Sequence, residues 1–180
     1  PASTPAVGVR ASLGDARTGR QPEMVVLHYP GMPEPEGAMA RLCTAGTDVS
    51  AHYIVLEDGR ISQSVPEDKR AWHAGAAFWA GEQDINSCSI GIEIINRGHD
   101  WGYPEFPLRQ IAAVIALCRG IMLRRKVPSH RVLAHSDVAP ARKKDPGEKF
   151  PGRSLANSGG GHWLQPEPIV RGEPRKHGTV

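Results

Sequence analysis

The 180-residue sequence predicts a single α/β domain, in which a mixed central sheet of about five strands is flanked by helices. Three observations carry this. Short runs rich in β-branched residues recur along the chain, bounded by Pro, Gly and Asp. One long segment near residue 115 carries apolar residues at helical spacing. No internal repeat divides the chain, and its length suits one core.

The first strand is Met24 to Tyr29, a nearly continuous apolar run that Pro30 and Gly31 stop. Glu36 to Cys43 fits a short helix, weakened by Gly37. Ala51–Glu57 and Arg60–Val65 flank Asp58-Gly59, which predicts a hairpin closed by a type I′ turn. Ser89 to Ile95 is a buried strand whose alternation sets Ile90, Ile92 and Ile94 on one face and Gly91, Glu93 and Ile95 on the other. A carboxylate is thereby delivered into apolar surroundings. From Pro107 to about Lys126, Leu108, Ile111, Ile115, Cys118 and Met122 define the inner face of a sheet-covering helix. Arg131 to His135 is the last strand. The main folded unit is expected over 23–157, preceded by an N-terminal arm (1–22) and followed by an extended C-terminal tail (158–180) that His162, Trp163 and Leu164 anchor.

The net charge of +3 is scattered, with local runs only at Arg124–Lys126 and Arg142–Lys144. That excludes the basic stripe a general nucleic-acid binder needs. No apolar run approaches the roughly 20 residues of a bilayer span. Three well-separated cysteines, Cys43, Cys88 and Cys118, form neither a disulfide framework nor a thiolate metal site. They favour a reducing compartment, the bacterial cytoplasm. The chain starts without Met, so a periplasmic or envelope location after removal of an export signal is the alternative. Oligomeric state is not encoded in any pattern found.

His135 closes one predicted strand, and Lys143 and Asp145 follow it by eight and ten positions. A loop of that length folds back far enough to set Asp145 beside the histidine, and His28, ending another strand, is a third candidate ligand. Two neutral imidazoles and one carboxylate leave a divalent zinc with net positive charge and an open position, the pattern of a catalytic site. Each residue also has a plainer reading. Histidines at strand ends pack or hydrogen-bond, Asp before Pro-Gly makes turns, a buried Glu pairs with Arg, and Lys in a basic run faces solvent.

The ordered set Val26-Leu-His-Tyr29, Ser50-Ala-His-Tyr53, Ala71-Trp-His-Ala-Gly75, Asn86-Ser-Cys-Ser-Ile-Gly-Ile-Glu93 and Ala134-His-Ser-Asp-Val-Ala-Pro-Ala-Arg-Lys-Lys-Asp-Pro-Gly147 resembles the amidase-2 type N-acetylmuramoyl-L-alanine amidases, relatives of the peptidoglycan recognition proteins and phage lysozyme-type amidases. The resemblance runs from about Val9 to Trp163. It implies a peptidoglycan-recognition-protein-like fold and one Zn2+ per chain, held by His28, His135 and Asp145. It implies Glu93 as general base and acid, and Lys143 as the group that steadies an oxyanion. The implied reaction cleaves the amide between a muramyl, or 1,6-anhydromuramyl, lactyl group and L-alanine, in peptidoglycan or muropeptides.

Tyr29 and Pro30 should line the cleft, and His73 and Asn86 match positions near the substrate. His52, Trp72 and Trp79 read as core or rim packing. Asp48 and Asp84 stand where cytosolic anhydromuramyl-peptide amidases often carry arginines, and Gly152 replaces a tryptophan common in envelope-type relatives. Tyr29-Pro30 and Phe150-Pro151 look envelope-like. The competing class is a binding module that holds a muropeptide without cutting it. Such members typically lack a zinc ligand, and here the whole set is present.

Overall fold

The computed structural model describes residues 15–17, 19–44 and 47–162. Most of the expected N-terminal arm, and the expected anchor at Trp163 and Leu164, lie outside the described residues. The five-stranded sheet contains β2 (Met24–His28), β3 (Tyr53–Val55), β4 (Ile61–Gln63), β6 (Ser89–Ile94) and β7 (Val132–Ala134) in the order β4-β3-β6-β2-β7. β3, β6, β2 and β7 are parallel, and β4 is the antiparallel edge. A second, two-stranded sheet pairs β1 (Asp15–Ala16) with β5 (Lys69–Arg70), so the described end of the arm is joined to the domain.

Strands β2 and β6 are buried along their whole length, because each is central and covered on both faces. That is why Met24 to Leu27 reads as a continuous apolar run rather than an alternating one. On one face, Val25, Leu27, Ile90, Ile92 and Ile94 pack under α3 (Leu108–Arg125). The opposite face carries Met24, Val26 and Leu133 against the 74–88 segment, and Ile54 and Ile95 against α1 (Pro35–Cys43).

Two expectations change in detail. The inner stripe of α3 is Ile111, Val114, Cys118 and Ile121, while Leu108 is 90% exposed. Gln110 takes the inward position of the first turn, because its Nε2 donates to the carbonyls of Val55 and Ile95 at the ends of β3 and β6. The hairpin forms, but Asp58 keeps a negative φ and only Gly59 is left-handed, at +86°. Gly59 N–H donates to Leu56 O, and Leu56 N–H donates to Arg60 O, a type I turn followed by a glycine bulge in place of type I′. Three short helices, α2 (Ile85–Cys88), α4 (His135–Val138) and α5 (Gly152–Asn157), had no periodic signal.

At the far end of α3, Glu67 accepts hydrogen bonds from Tyr53, Arg124 and Arg125, and the buried Arg17 donates to Glu67 O, Ser87 O and Ser89 O. This cluster ties helix, sheet and N-terminal segment together. The position of the α3 stripe is tested by paired substitutions. Ile121→Ala should cost about 2–5 kcal/mol, whereas Leu108→Ala should stay within about 0.5 kcal/mol, measured by urea unfolding.

Candidate metal centre and active-site cleft

The three parallel strands β6, β2 and β7 end at one edge of the sheet, where binding sites of parallel sheets gather. His28 is the last residue of β2, Glu93 lies beside it in register on β6, and His135 follows β7 as the first residue of α4. The chain then turns back. Ser136 N–H donates to Asp145 O at 3.0 Å, and Tyr103 OH donates to Pro146 O at 2.6 Å. Gly147, at φ +83°, passes so close to Tyr103 and His99 that a Cβ there would come within 2.4 Å of the tyrosine oxygen. These contacts hold Asp145 over the strand ends.

His28 Nδ1, His135 Nδ1 and Asp145 Oδ2 converge: the nitrogens are 2.8 Å apart, and the oxygen is 3.0 Å from His135 and 3.4 Å from His28. All three residues are buried. A tetrahedral zinc with ligands at about 2.1 Å sets its donor atoms about 3.4 Å apart; one side of the triangle matches this and the other two are shorter, so the donors would spread slightly around an ion. Its chemistry fits too. His135 Nε2 lies 3.0 Å from Ala74 O, and a carbonyl only accepts, so in the neutral ring the proton sits on Nε2 and the Nδ1 lone pair faces Asp145. Burial lowers the pKa of His28 to about 4 and pushes that of His73 well down, leaving both rings uncharged.

Glu93 is buried, and its Oε2 has no hydrogen-bond partner among the described residues. An unpaired buried carboxylate oxygen is costly, so the cleft is built to receive a donor. Burial first, then the charge of Asp145, raise Glu93 to about 8, while Lys143 pulls the other way. Lys143 lines the same cleft as Glu93 and the three converging residues, with Tyr29 and Pro30 on the wall. Tyr29 is fixed by a 2.6 Å contact between its hydroxyl and His99 Nδ1.

The two other expected substrate contacts face the protein. Asn86 is buried and does not line the cleft; its Oδ1 accepts from the backbone N–H of His73 and Ala74. His73 lines the inner end of the cleft, yet both ring nitrogens are engaged, by His28 and Ser89. Side chains whose polar atoms are already matched have little left for a ligand. His52 is fully buried and accepts Gly91 N–H on Nδ1. Trp72 donates to Asp15 and stacks under Arg70. Asp84 pairs with Arg70 away from the cleft. Sequence reasoning missed the outer wall, Met32, Arg41, Leu42 and Val49, because α1 was legible only as a helix and the segments flanking it carried no pattern.

Two imidazoles and a carboxylate beside a second, unpaired carboxylate, at the carboxyl edge of a parallel sheet, are the parts of a hydrolytic metal centre. The sequence profile described as N-acetylmuramoyl-L-alanine amidase matches residues 18–148, and the chain belongs to that amidase-2 family. It is 38% identical over 153 residues to N-acetylmuramoyl-L-alanine amidase AmiD of Escherichia coli, covering 78% of this chain and 54% of AmiD. To the E. coli 1,6-anhydro-N-acetylmuramyl-L-alanine amidase AmpD it is 42% identical over 103 residues, 57% of this chain and 54% of AmpD. The chain thus spans about half the length of these curated relatives.

Among solved structures, E. coli AmiD in complex with the substrate anhydro-N-acetylmuramic acid-L-Ala-D-gamma-Glu-L-Lys superposes with a TM-score of 0.71 at 34% identity, covering 90% of this chain and 63% of that one. AmpDh3 of Pseudomonas aeruginosa gives 0.74 at 31% identity, covering 92% and 69%. The mixed five-stranded sheet is therefore the family's fold.

The raised pKa of Glu93 has a defined consequence for the metal-free protein. Its folded value of about 8 exceeds the ordinary value of 4.5, so the folded state binds the extra proton between those limits. The contribution of Glu93 to stability is full below about pH 4.5 and is lost as pH rises to 8, by at most about 1.4 kcal/mol per unit. Glu93→Gln should remove this loss. In chelator, the variant's melting-temperature advantage over the wild type should be larger at pH 8.5 than at pH 5; an equal difference at both would refute it.

Proposed function

We propose that this chain is a zinc-dependent amidase that hydrolyses the bond between the lactyl group of N-acetylmuramic acid, or its 1,6-anhydro form, and L-alanine, in peptidoglycan or muropeptides released from it. The observation that carries the reading is the meeting of His28, His135 and Asp145 donor atoms in one cleft with the unpaired Glu93 and with Lys143. Family membership names the chemistry. The segment 23–157 is taken as the catalytic unit.

In this mechanism His28, His135 and Asp145 hold one zinc ion, which supplies the Lewis acidity that polarises the amide and activates water. Glu93 accepts a proton from the attacking water on the oxygen that lacks a protein partner. It then delivers that proton to the departing L-alanine nitrogen. A shuttling acid works best with a pKa near the operating pH; burial raises that of Glu93 in the metal-free cleft, and a cation bound beside it would lower it again. The Lys143 ammonium offsets the negative charge that grows on the carbonyl oxygen as the tetrahedral state forms. Tyr29 and Pro30 wall the cleft beside the reacting bond. A purely binding module would have no need of a buried carboxylate held unpaired beside three converging metal donors.

No helix among the described residues is long and apolar enough to cross a membrane. The free thiols of Cys43, Cys88 and Cys118 favour the bacterial cytoplasm, and recycled muropeptides as the substrate pool. The alternative is an envelope enzyme acting on the wall, and fractionation of source cells separates the two.

Incubating the protein with a disaccharide-pentapeptide and its 1,6-anhydro counterpart should release a peptide beginning with L-alanine, detected by mass spectrometry. Chelator should abolish the release and added zinc restore it. Failure on both sugars with zinc bound would sink the amidase reading. Glu93→Gln should lower kcat by about 10²–10⁴ and Lys143→Met by about 10²–10³, with zinc still bound in each. Full activity in either variant would remove that residue from its role.

A further inference from the structure

Strand β6 presents Ser89, Gly91 and Glu93 to one face of the sheet, because alternate residues share a face. Only Glu93 has a part in the proposed hydrolysis. A Cβ at position 91 would lie 2.4 Å from Cγ of His73, so the missing side chain makes room for that imidazole against the strand. There His73 Nδ1 is 2.9 Å from His28 Nε2, His73 Nε2 is 3.1 Å from Ser89 Oγ, and Ser89 Oγ is 2.5 Å from Ile85 O. His28, His73 and Ser89 are all buried.

Proton positions along this chain follow from the close contact of Ser89 with Ile85 O. A carbonyl oxygen only accepts, so the single Ser89 hydroxyl proton goes to Ile85 O. Ser89 Oγ then offers lone pairs alone to His73, whose Nε2 must carry the ring proton. Neutral His73 has a bare Nδ1, which accepts from His28 Nε2–H. Neutral His28 is left with a bare Nδ1, the atom 2.8 Å from His135 Nδ1 and 3.4 Å from Asp145 Oδ2. Were the serine proton turned to His73 instead, both rings would switch and His28 would aim an N–H at the metal position.

We propose that Ile85 O, Ser89 and His73 form a tautomer-setting relay, in which His73 and Ser89 are positioning residues that keep the Nδ1 lone pair of His28 free for a divalent metal. This rests on the reading of His28 as a metal ligand. Outer partners of ligating histidines act in this way, and their loss typically weakens metal binding about 10–100-fold. His73 thereby works behind the ligand rather than on the substrate.

Two measurements test it. Two-bond ¹⁵N–¹H correlation spectra of the zinc-free wild-type protein at neutral pH should show His28 and His73 both as Nε2–H tautomers. Chelator competition should show that Ser89→Ala binds zinc about 10–100-fold more weakly than the wild type, with its fold checked by circular dichroism. An Nδ1–H tautomer at either ring of the wild type overturns the relay, whether or not the variant folds. Wild-type zinc affinity in folded Ser89→Ala overturns it as well. A wild-type chain that takes up no zinc while both rings are Nε2–H refutes the metal reading and leaves the relay standing.

Discussion

The parallel pairing of β2 with β6 sets His28 beside Glu93, and the rest of the site depends on that register. Side chains alternate along both strands, so a slip of one residue in either strand would turn its polar member, His28 or Glu93, into the aliphatic layer under α3 and bring Leu27 or Ile92 out of it. Burying a polar group there and losing a large apolar contact is prohibitive. The core packing of Val25, Leu27, Ile90, Ile92 and Ile94 therefore specifies the chemistry on the opposite face, though none of these residues touches it.

Two buried carboxylates show how environment separates structure from function. Glu67 is met by Arg124, Arg125 and Tyr53, and these bonds outweigh its burial and hold its pKa below the ordinary value. It joins α3 to the sheet. Among the described residues Glu93 has no such partners, its pKa rises, and one oxygen stays unmatched. An ionisable group kept in that condition is a strained element in the free protein, and strain of this kind collects where a ligand will relieve it.

Much of this was legible in the chain. The apolar runs at Met24 and Ser89 are central strands, and the alternation around Glu93 holds. His28, His135 and Asp145 meet as their positions suggested. What sequence left hidden was of two kinds. Elements of two to six residues, such as β1, β5, α2 and α5, are too short to show a period, and they exist because tertiary contacts hold them. Side-chain direction was the other. Leu108 fits the helical spacing yet faces water because Gln110 finds two carbonyls inside. His73 and Asn86 sit in a motif near the site, but their polar atoms meet protein partners that no local pattern announces.

The donor triangle is closed by residues far apart in the chain: His28 and His135 are separated by 107 positions. Its first member ends an early strand, its second follows the last strand of the sheet, and its third hangs on a loop secured by Tyr103. Contacts of such range carry the full entropy of loop closure before they return any energy. The cleft can therefore assemble only when nearly the whole domain has condensed, and a partly folded chain, whatever strands it has formed, holds no complete set of donors. Occupancy of the centre is in that sense a record of finished folding.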